Sequence, residues 1–596
     1  MITLGHLLPS SYRERLGNRV WVFALTMISQ LILSVTYLKS MYDLGMSTSG
    51  RTFLQLLYAL LHIGGWSAFL WGLLAIPRRR WLSKISLALC SLLTLVLFAI
   101  EMVLLQEYHT LYNVDLALLM LSTNTREAGE IFSILHLSSF VWAGGGIMLS
   151  ILGAYLTYKK SLNTTLSKRA VAFVGILAFV GGGAVLPVAY AHFENRVIPS
   201  SYTTSYERAV LSTAYGYLLS LKVEERYAAM STLEGLTDLQ VTDSLANEPI
   251  DVVLILGESV RRDYLHSYGY SLPNTPGIDS LVSTGDMILF TDVLAPATTT
   301  NYSCQRTLTF YTNIEAKTDW YNYPNLLSTV SRAGYATAWI TNQETTGIYS
   351  VSRIFSPFAN IVRERNDSSE GMVDTSEHSL NDLAGAYDTA LLPLLLSYGE
   401  LPDSLRSTYH RGLFEVVHLM GSHFDYGKRY PKSYARFRAK DIPRNLELDQ
   451  AQTIASYVNS IYFTDFVIKE IVKKYAQRPA LILYMSDHGE VLYDDPKDRK
   501  FFGHSPYTVT PGAVQVPFMC YVTPRLDQIN PALKERLRSA ATRRISLDLL
   551  THTLTSLLGI HTRYSDPKLD FLSSEYDGQR SRIVTATEGA SFEVNY

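Results

Sequence analysis

Cysteine is nearly absent: Cys90, Cys304 and Cys520 are the only three in 596 residues. That excludes a disulfide framework of the kind that holds small secreted domains together. Separate thiols are expected in preference to a Cys304–Cys520 bridge. An excess of one charge is missing too, since 52 basic against 54 acidic residues leave a formal net charge of −2. A basic face for nucleic acid is therefore not expected. No Gly-Xaa-Gly-Xaa-Xaa-Gly or Walker loop occurs, so the chain offers no nucleotide cradle. Internal repeats and low-complexity tracts are also lacking. What remains is a chain too long for one globular domain, with two or more units expected.

Long apolar runs are plentiful, and they crowd into the first third. Five are long enough to span a bilayer at roughly 20 residues each: Val20–Leu38, Phe53–Ile76, Ile85–Leu105, Leu137–Tyr158 and Ala170–Ala191. The first is longer than the apolar core of a cleaved leader, and no small-residue cleavage site follows it. Arg13, Arg15 and Arg19 precede the first run. Arg78, Arg79, Arg80 and Lys84 lie between the second and third, and Lys159, Lys160, Lys168 and Arg169 between the last two. The alternate loops are poorer in basic residues. This bias predicts a cytoplasmic N-terminus and an external C-terminal part. Glu101, near the outer end of the third run, must either snorkel to the interface or find a partner. The loop Tyr108–His136, with Leu111, Val114, Leu118 and Leu121 at helical spacing, is expected to lie on the membrane surface or to act as a plain amphipathic connector.

The domain division expected is a transmembrane part over 1–195, a bridging segment over 196–248 with a helix over Tyr206–Arg226, and an external domain over 249–596. The external domain opens on Ile250–Gly257, in which only Asp251 is polar. Such a run reads as a strand buried on both faces of a mainly parallel sheet. Further strands are expected at Phe290–Val293, Ala336–Ile340, Leu413–His418 and Ala480–Ser486. Helices are expected near Thr300, at Pro324–Ala333 with the proline at the first helical position, at Asp449–Tyr475 and at Ile545–Leu558. Strands alternating with helices imply an α/β sandwich.

Three of these strands end in metal-ligating residue types. The first runs into Glu258, the Leu413–His418 strand leads to His423, and the Ala480–Ser486 strand is followed by Asp487 and His488. His504 follows on a loop. A parallel sheet sets its strand ends side by side, at the edge where α/β folds keep their ligands. Carboxylates with imidazoles suit zinc, at roughly 2.0–2.2 Å per ligand.

Together the segments Gly257-Glu258-Ser259-Val260-Arg261, Thr300-Asn301-Tyr302-Ser303, His418-Leu419-Met420-Gly421-Ser422-His423, Ser486-Asp487-His488-Gly489-Glu490 and Gly503-His504 resemble the membrane-bound phosphoethanolamine transferases. That family forms a sulfatase-like branch of the alkaline phosphatase superfamily in Gram-negative bacteria. The resemblance covers essentially the whole chain. It implies five transmembrane helices followed by an alkaline phosphatase/sulfatase-like periplasmic domain, held at the inner membrane. It implies Glu258, Asp487 and His488 as ligands of a catalytic Zn2+, with Thr300 as a metal-bound nucleophile and a second ion during turnover. His423 and His504 match histidines beside the transferred phosphoryl group, and Asn342 and Tyr302 match substrate contacts. The implied donor is phosphatidylethanolamine, and the implied enzyme is a monomer.

Departures from the family pattern narrow the acceptor. Relatives that modify lipid A bracket the nucleophile with a disulfide, whereas the flanks here are Pro296 and Arg306. Low cysteine content and Trp339-Ile340-Thr341-Asn342-Gln343 resemble the branch acting on lipopolysaccharide core heptose or periplasmic glucans, the heptose being preferred. A phosphoglycerol transferase of the lipoteichoic-acid-synthase type has the same overall plan and is the rival. A sulfatase proper needs Cys or Ser in Cys-Xaa-Pro-Xaa-Arg, and Cys304-Gln305-Arg306-Thr307-Leu308 lacks both the proline and the final arginine.

Overall fold

The computed structural model describes residues 9–43, 49–108, 110–122, 137–161, 166–183, 203–231, 236–242, 245–246, 248–343, 350–364, 387–496, 499–504, 509–587 and 590–595. The chain divides into two compact units, Met1–Lys222 and Val223–Tyr596, a cut that falls inside the expected bridging segment.

The first unit is helical. Its long elements are α1 (Val20–Asp43), α2 (Ser49–Leu74), α3 (Arg80–Tyr108), α4 (Leu137–Ser161) and α5 (Lys168–Gly183). Among the described residues, four helices are long and apolar enough to cross a membrane: Val20–Tyr42, Thr52–Leu74, Arg80–Glu107 and Leu137–Lys160. The fifth expected span begins as α5, and its remainder lies outside the described residues. Phe53, Leu89, Val141 and Met148 are exposed, an apolar surface of the kind that faces lipid. Part of the loop after α3 is the helix Val114–Ser122, with Val114 and Ala117 buried; residues 123–136 lie outside the described set.

Glu101 does not snorkel. It is buried, and Arg208 grips both its oxygens, Nε to Oε1 and Nη2 to Oε2 at 2.6 Å each. Ser205 Oγ donates to the same carboxylate. Beside this pair His62 Nε2 meets Glu207 Oε1 at 2.8 Å, and Glu207 closes a capping box with Thr204. The helix expected over Tyr206–Arg226 starts one residue earlier, at Ser205. It passes through a π-helical turn over Arg208–Ser212 and ends at Ser231.

The second unit is built on a seven-stranded sheet: β1 (Ile250–Gly257), β2 (Met287–Phe290), β3 (Tyr335–Thr341), β4 (Ile361–Glu364), β5 (Gly412–His418), β6 (Ala480–Ser486) and β7 (Phe518–Val522). The spatial order is β2-β7-β6-β1-β5-β3-β4, and β7 alone runs against the rest. Side chains alternate across β1. Val252, Leu254 and Leu256 enter one apolar cluster, and Val253 and Ile255 the other. Both faces are covered, which is why the strand reads as unbroken apolar sequence. The second cluster is closed by α6 (Leu448–Tyr475), through Ile454, Tyr457, Val458 and Ile461.

Three expected elements are corrected. The strand over Phe290–Val293 is two strands, β2 and a separate Asp292–Leu294 that pairs in parallel with Arg544–Ser546. The break falls at Thr291, whose N–H donates to Ala541 O instead of a ladder partner. The helix expected over Ile545–Leu558 therefore yields its first residues to that strand and begins at Leu550. The helix expected from Pro324 starts at Leu326, because Asn325 is the better cap and its Oδ1 accepts from Ser328 N at 2.8 Å. Cys304 and Cys520 are separate buried thiols.

Candidate active site

The neighbouring ends of β1 and β6 supply the heart of the site. Their register pairs Gly257 with Ser486, so the next residues, Glu258 and Asp487, leave the sheet side by side. His488 follows at once. One ligand atom from each of Glu258, Asp487 and His488 lies within 4.8 Å of the others, and all three residues are buried. His488 Nε2 is 3.2 Å from Glu258 Oε1 and 3.4 Å from Asp487 Oδ2.

Thr300 joins them from α7 (Thr300–Thr307). Its Oγ1 is 3.3 Å from each Glu258 oxygen and 3.2 Å from His488 Nε2. Thr300 opens the helix, and the N–H groups at a helix start suit phosphoryl oxygens. Ser303, one turn on, donates to Asp487 O and ties the helix to the end of β6.

The electrostatics favour positive charge at this point, and His488, pushed up to about 10 by Asp487 and Glu258 against the effect of burial, is one source of it. Burial opposes ionisation of Glu258, but the hydrogen bond to His488 and the charge of that residue hold its carboxyl well below the usual range. Burial and the Glu258 charge push Asp487 up. Two acids this close cannot both ionise freely without a positive partner. Asp487 Oδ1 accepts from Ser259 N and His488 N, whereas buried Oδ2 has no donor. A buried, unpartnered carboxylate oxygen pointing among three other donor atoms fits a metal ligand. The orientation of His488 fits as well: Nδ1 donates to Gly489 O at 2.7 Å, so Nε2 is the ring nitrogen that faces the cluster. Two carboxylates, an imidazole and a hydroxyl form a donor set that zinc accepts.

Of the other expected residues, His504 and His423 lie close to this cluster, whereas the contacts of Asn342 and Tyr302 are to Asp388 and Arg306. The His504 ring lies tilted against that of His488, centroids 4.0 Å apart, with Nδ1 3.1 Å from Glu490 Oε1. Burial pushes the His423 imidazole down to about 4, so it is neutral at pH 7, and its Nδ1 is buried without a partner. Asn342 gives its amide to Asp388 Oδ1 at 2.9 Å. Asp388 also accepts from Met420 N and Gly421 N, which ties the end of β3 to the loop bearing His423. Tyr302 packs its ring against the Arg306 guanidinium, 5.6 Å from the centroid.

Four functional candidates carried no assigned role in the sequence. Gln343 donates from Nε2 to Glu258 Oε2 at 3.2 Å and to Leu419 O at 2.8 Å. Glu490 is buried beneath His504. Asp388 is a lone carboxylate far from any motif, and Ser259 Oγ donates to Glu258 Oε1 at 2.9 Å. Gln343, Glu490 and Ser259 stand beside recognisable motifs, and that adjacency was the available signal. Asp388 gave none.

The Sulfatase family profile matches residues 250–560, more than half of the chain. Phosphoethanolamine transferase EptC of Escherichia coli K12 is 28% identical over 341 residues, 56% of this chain and 55% of the relative. The chain thus spans about half the length of the first curated relatives it matches. Phosphoethanolamine transferase EptA of Helicobacter pylori is 24% identical over 511 residues, 84% of this chain and 86% of that one. Among solved structures, the periplasmic domain of E. coli EptC in complex with Zn aligns with a TM-score of 0.50 at 25% identity, covering 60% of this chain and 95% of that one. The integral membrane protein EptA of Neisseria meningitidis aligns with a TM-score of 0.60 at 17% identity, over 93% and 98% of the two chains, a likeness of fold.

Proposed function

Since this chain belongs to the sulfatase family, we propose that it moves phosphoethanolamine from phosphatidylethanolamine, by way of Thr300, to a glycan of the cell envelope. The observation that carries this reading is the convergence of Glu258, Thr300, Asp487 and His488 donor atoms on one buried point. The similarity to EptC and EptA supports the transferred group, and four membrane-length helices support a lipid donor.

Glu258, Asp487 and His488 would hold one zinc ion tightly, with room for a second during turnover. Zinc bound there would lower the pKa of the Thr300 hydroxyl and offset charge on the phosphoryl oxygens. Thr300 ionises, releasing its proton to solvent, and its Oγ1 attacks phosphorus while the bond to the diacylglycerol oxygen breaks. His504, held by Glu490, gives that oxygen its proton. In the second step neutral His423 takes the proton of the acceptor hydroxyl, whose oxygen attacks the phosphoethanolamine-threonine; Thr300 leaves as its oxyanion, and the proton on His423 returns through solvent to His504. Asn342 and Tyr302 are assigned to the phosphoethanolamine group.

The acceptor favoured is lipopolysaccharide core heptose, because no disulfide brackets Thr300; lipid A and periplasmic glucans are the alternatives. The setting is the Gram-negative inner membrane, with 249–596 on the periplasmic side of a monomeric enzyme. A phosphoglycerol transferase would use the same nucleophile, so the test is the donor. Head-group-labelled phosphatidylethanolamine should label core oligosaccharide, and labelled phosphatidylglycerol should not. Label entering only from phosphatidylglycerol would overturn the reading. Mass analysis of lipopolysaccharide and glucans from a strain lacking the protein identifies the acceptor.

A further inference from the structure

Ser259 adopts a conformation that serine rarely takes. Its φ is 60°, and it directly follows Glu258 at the end of β1. Only two other described non-glycine residues, Asp425 and Tyr493, have positive φ. A strained residue of this kind persists only where its surroundings fix it.

What fixes it comes chiefly from beneath the sheet. Tyr457, on the buried face of α6, reaches up with its hydroxyl. That hydroxyl donates to Ser259 O at 2.8 Å and accepts from Arg261 N at 2.8 Å. It therefore bridges the two ends of the turn after Glu258. The ring cannot swing away. Tyr457 has no exposed surface, and Tyr426 and Tyr264 stand edge-on to it at 5.0 and 5.6 Å. One helical turn on, Ser460 Oγ donates to Ser422 Oγ at 2.8 Å, and Ser422 N donates to Glu258 O at 3.0 Å. From the β6 side, Ser486 Oγ accepts from Val260 N and Asp487 Oδ1 from Ser259 N.

We propose that Tyr457 is a positioning residue of the metal site: its hydroxyl clamps the left-handed backbone at Ser259 and so aims the Glu258 carboxylate at the cation. The proposal rests on the metal reading above. It adds a residue about 200 positions away in sequence that touches neither metal nor substrate. Loss of such outer support typically lowers metal affinity by roughly 10–100-fold.

The test is zinc affinity of the full-length protein in detergent, measured against a competing chelator, with the thermal midpoint recorded alongside. Tyr457→Phe should weaken zinc binding roughly tenfold or more. Tyr475→Phe is the matched control, because its buried hydroxyl also bonds a backbone oxygen, Leu396 O at 2.7 Å, at the far end of the same helix. It should lower the midpoint and leave zinc affinity unchanged. The strain is tested on two backgrounds. Glycine adopts positive φ without a clamp, so Tyr457→Phe should lose most of its effect on Ser259→Gly. It should keep the full effect on Ser259→Ala, which lacks the hydroxyl but retains the strain. Unchanged affinity in Tyr457→Phe, or an equal loss on both backgrounds, overturns the clamp. A wild-type protein that binds no zinc overturns the metal reading and the clamp together.

Discussion

Glu490 Oε1 lies 3.1 Å from His504 Nδ1, and the His504 ring in turn sits tilted against that of His488, centroids 4.0 Å apart. A carboxylate on Nδ1 fixes the tautomer and leaves Nε2 for the proposed proton transfer. Glu490→Gln is therefore expected to lower kcat by up to roughly 100-fold, at or below the low end of the roughly 10²–10⁴-fold that a proton-transfer group contributes, because His504 itself stays in place. Zinc content should be retained, because Glu490 is outside the donor cluster. Metal analysis beside steady-state kinetics checks this; loss of zinc in the variant would place Glu490 among the ligands instead.

Gln343 joins Glu258, a proposed metal ligand, to Leu419 O through one amide nitrogen. Gln343→Ala should weaken zinc binding several-fold and shift the thermal midpoint little, since the residue is only partly buried. Gln343→Glu should be worse than alanine, because it sets a second carboxylate against Glu258. Equal zinc affinities in alanine, glutamate and wild-type proteins would show that the amide does not hold the ligand.

The cluster was legible in sequence because each of its parts is local. A buried strand ending in Glu258, and another running into Asp487-His488, announce a sheet edge wherever the strands end up. The helix start at Thr300 followed from a run of threonines after a short strand. Asp388 and Tyr457 were not legible. Their effect depends on which loop and which helix face the tertiary fold brings under the sheet, and no local pattern encodes that. The misplaced starts at Pro324 and Ile545 have the same origin. Asn325 outcompeted the proline as a cap, and pairing of Ile545 with Val293 overrode the helical spacing. For Glu101 the sequence posed the question, and only the fold supplied Arg208.

That buried pair makes a separate prediction. Glu101→Gln or Arg208→Met alone leaves one desolvated charge unpaired, and each should cost about 3 kcal/mol or more of stability in detergent. The double variant Glu101→Leu/Arg208→Met removes both charges and should recover most of the loss. Thermal unfolding of the three proteins decides it. Additive losses in the double variant would mean that the two residues are not partners.

Glu415, inside β5, offers a pH test away from the active site. Burial pushes its carboxyl up to about 8 from 4.5, against hydrogen bonds from Tyr475 and Leu396 N. The native state thus keeps a proton that the unfolded chain releases near 4.5. Stability from this group is complete below that pH and is lost as pH rises towards 8. Glu415→Gln should flatten the fall in thermal midpoint between pH 5 and 8. Parallel slopes in variant and wild type would contradict it.

The central claim is that a threonine oxygen held against the Glu258–Asp487–His488 cluster becomes the carrier of the transferred group. Its most direct test is peptide mass mapping of the full-length protein after incubation with phosphatidylethanolamine and no acceptor. The account predicts one phosphoethanolamine adduct on the peptide containing Thr300, absent in Thr300→Ala together with all transfer. An adduct on another residue, or transfer that survives Thr300→Ala, would contradict it.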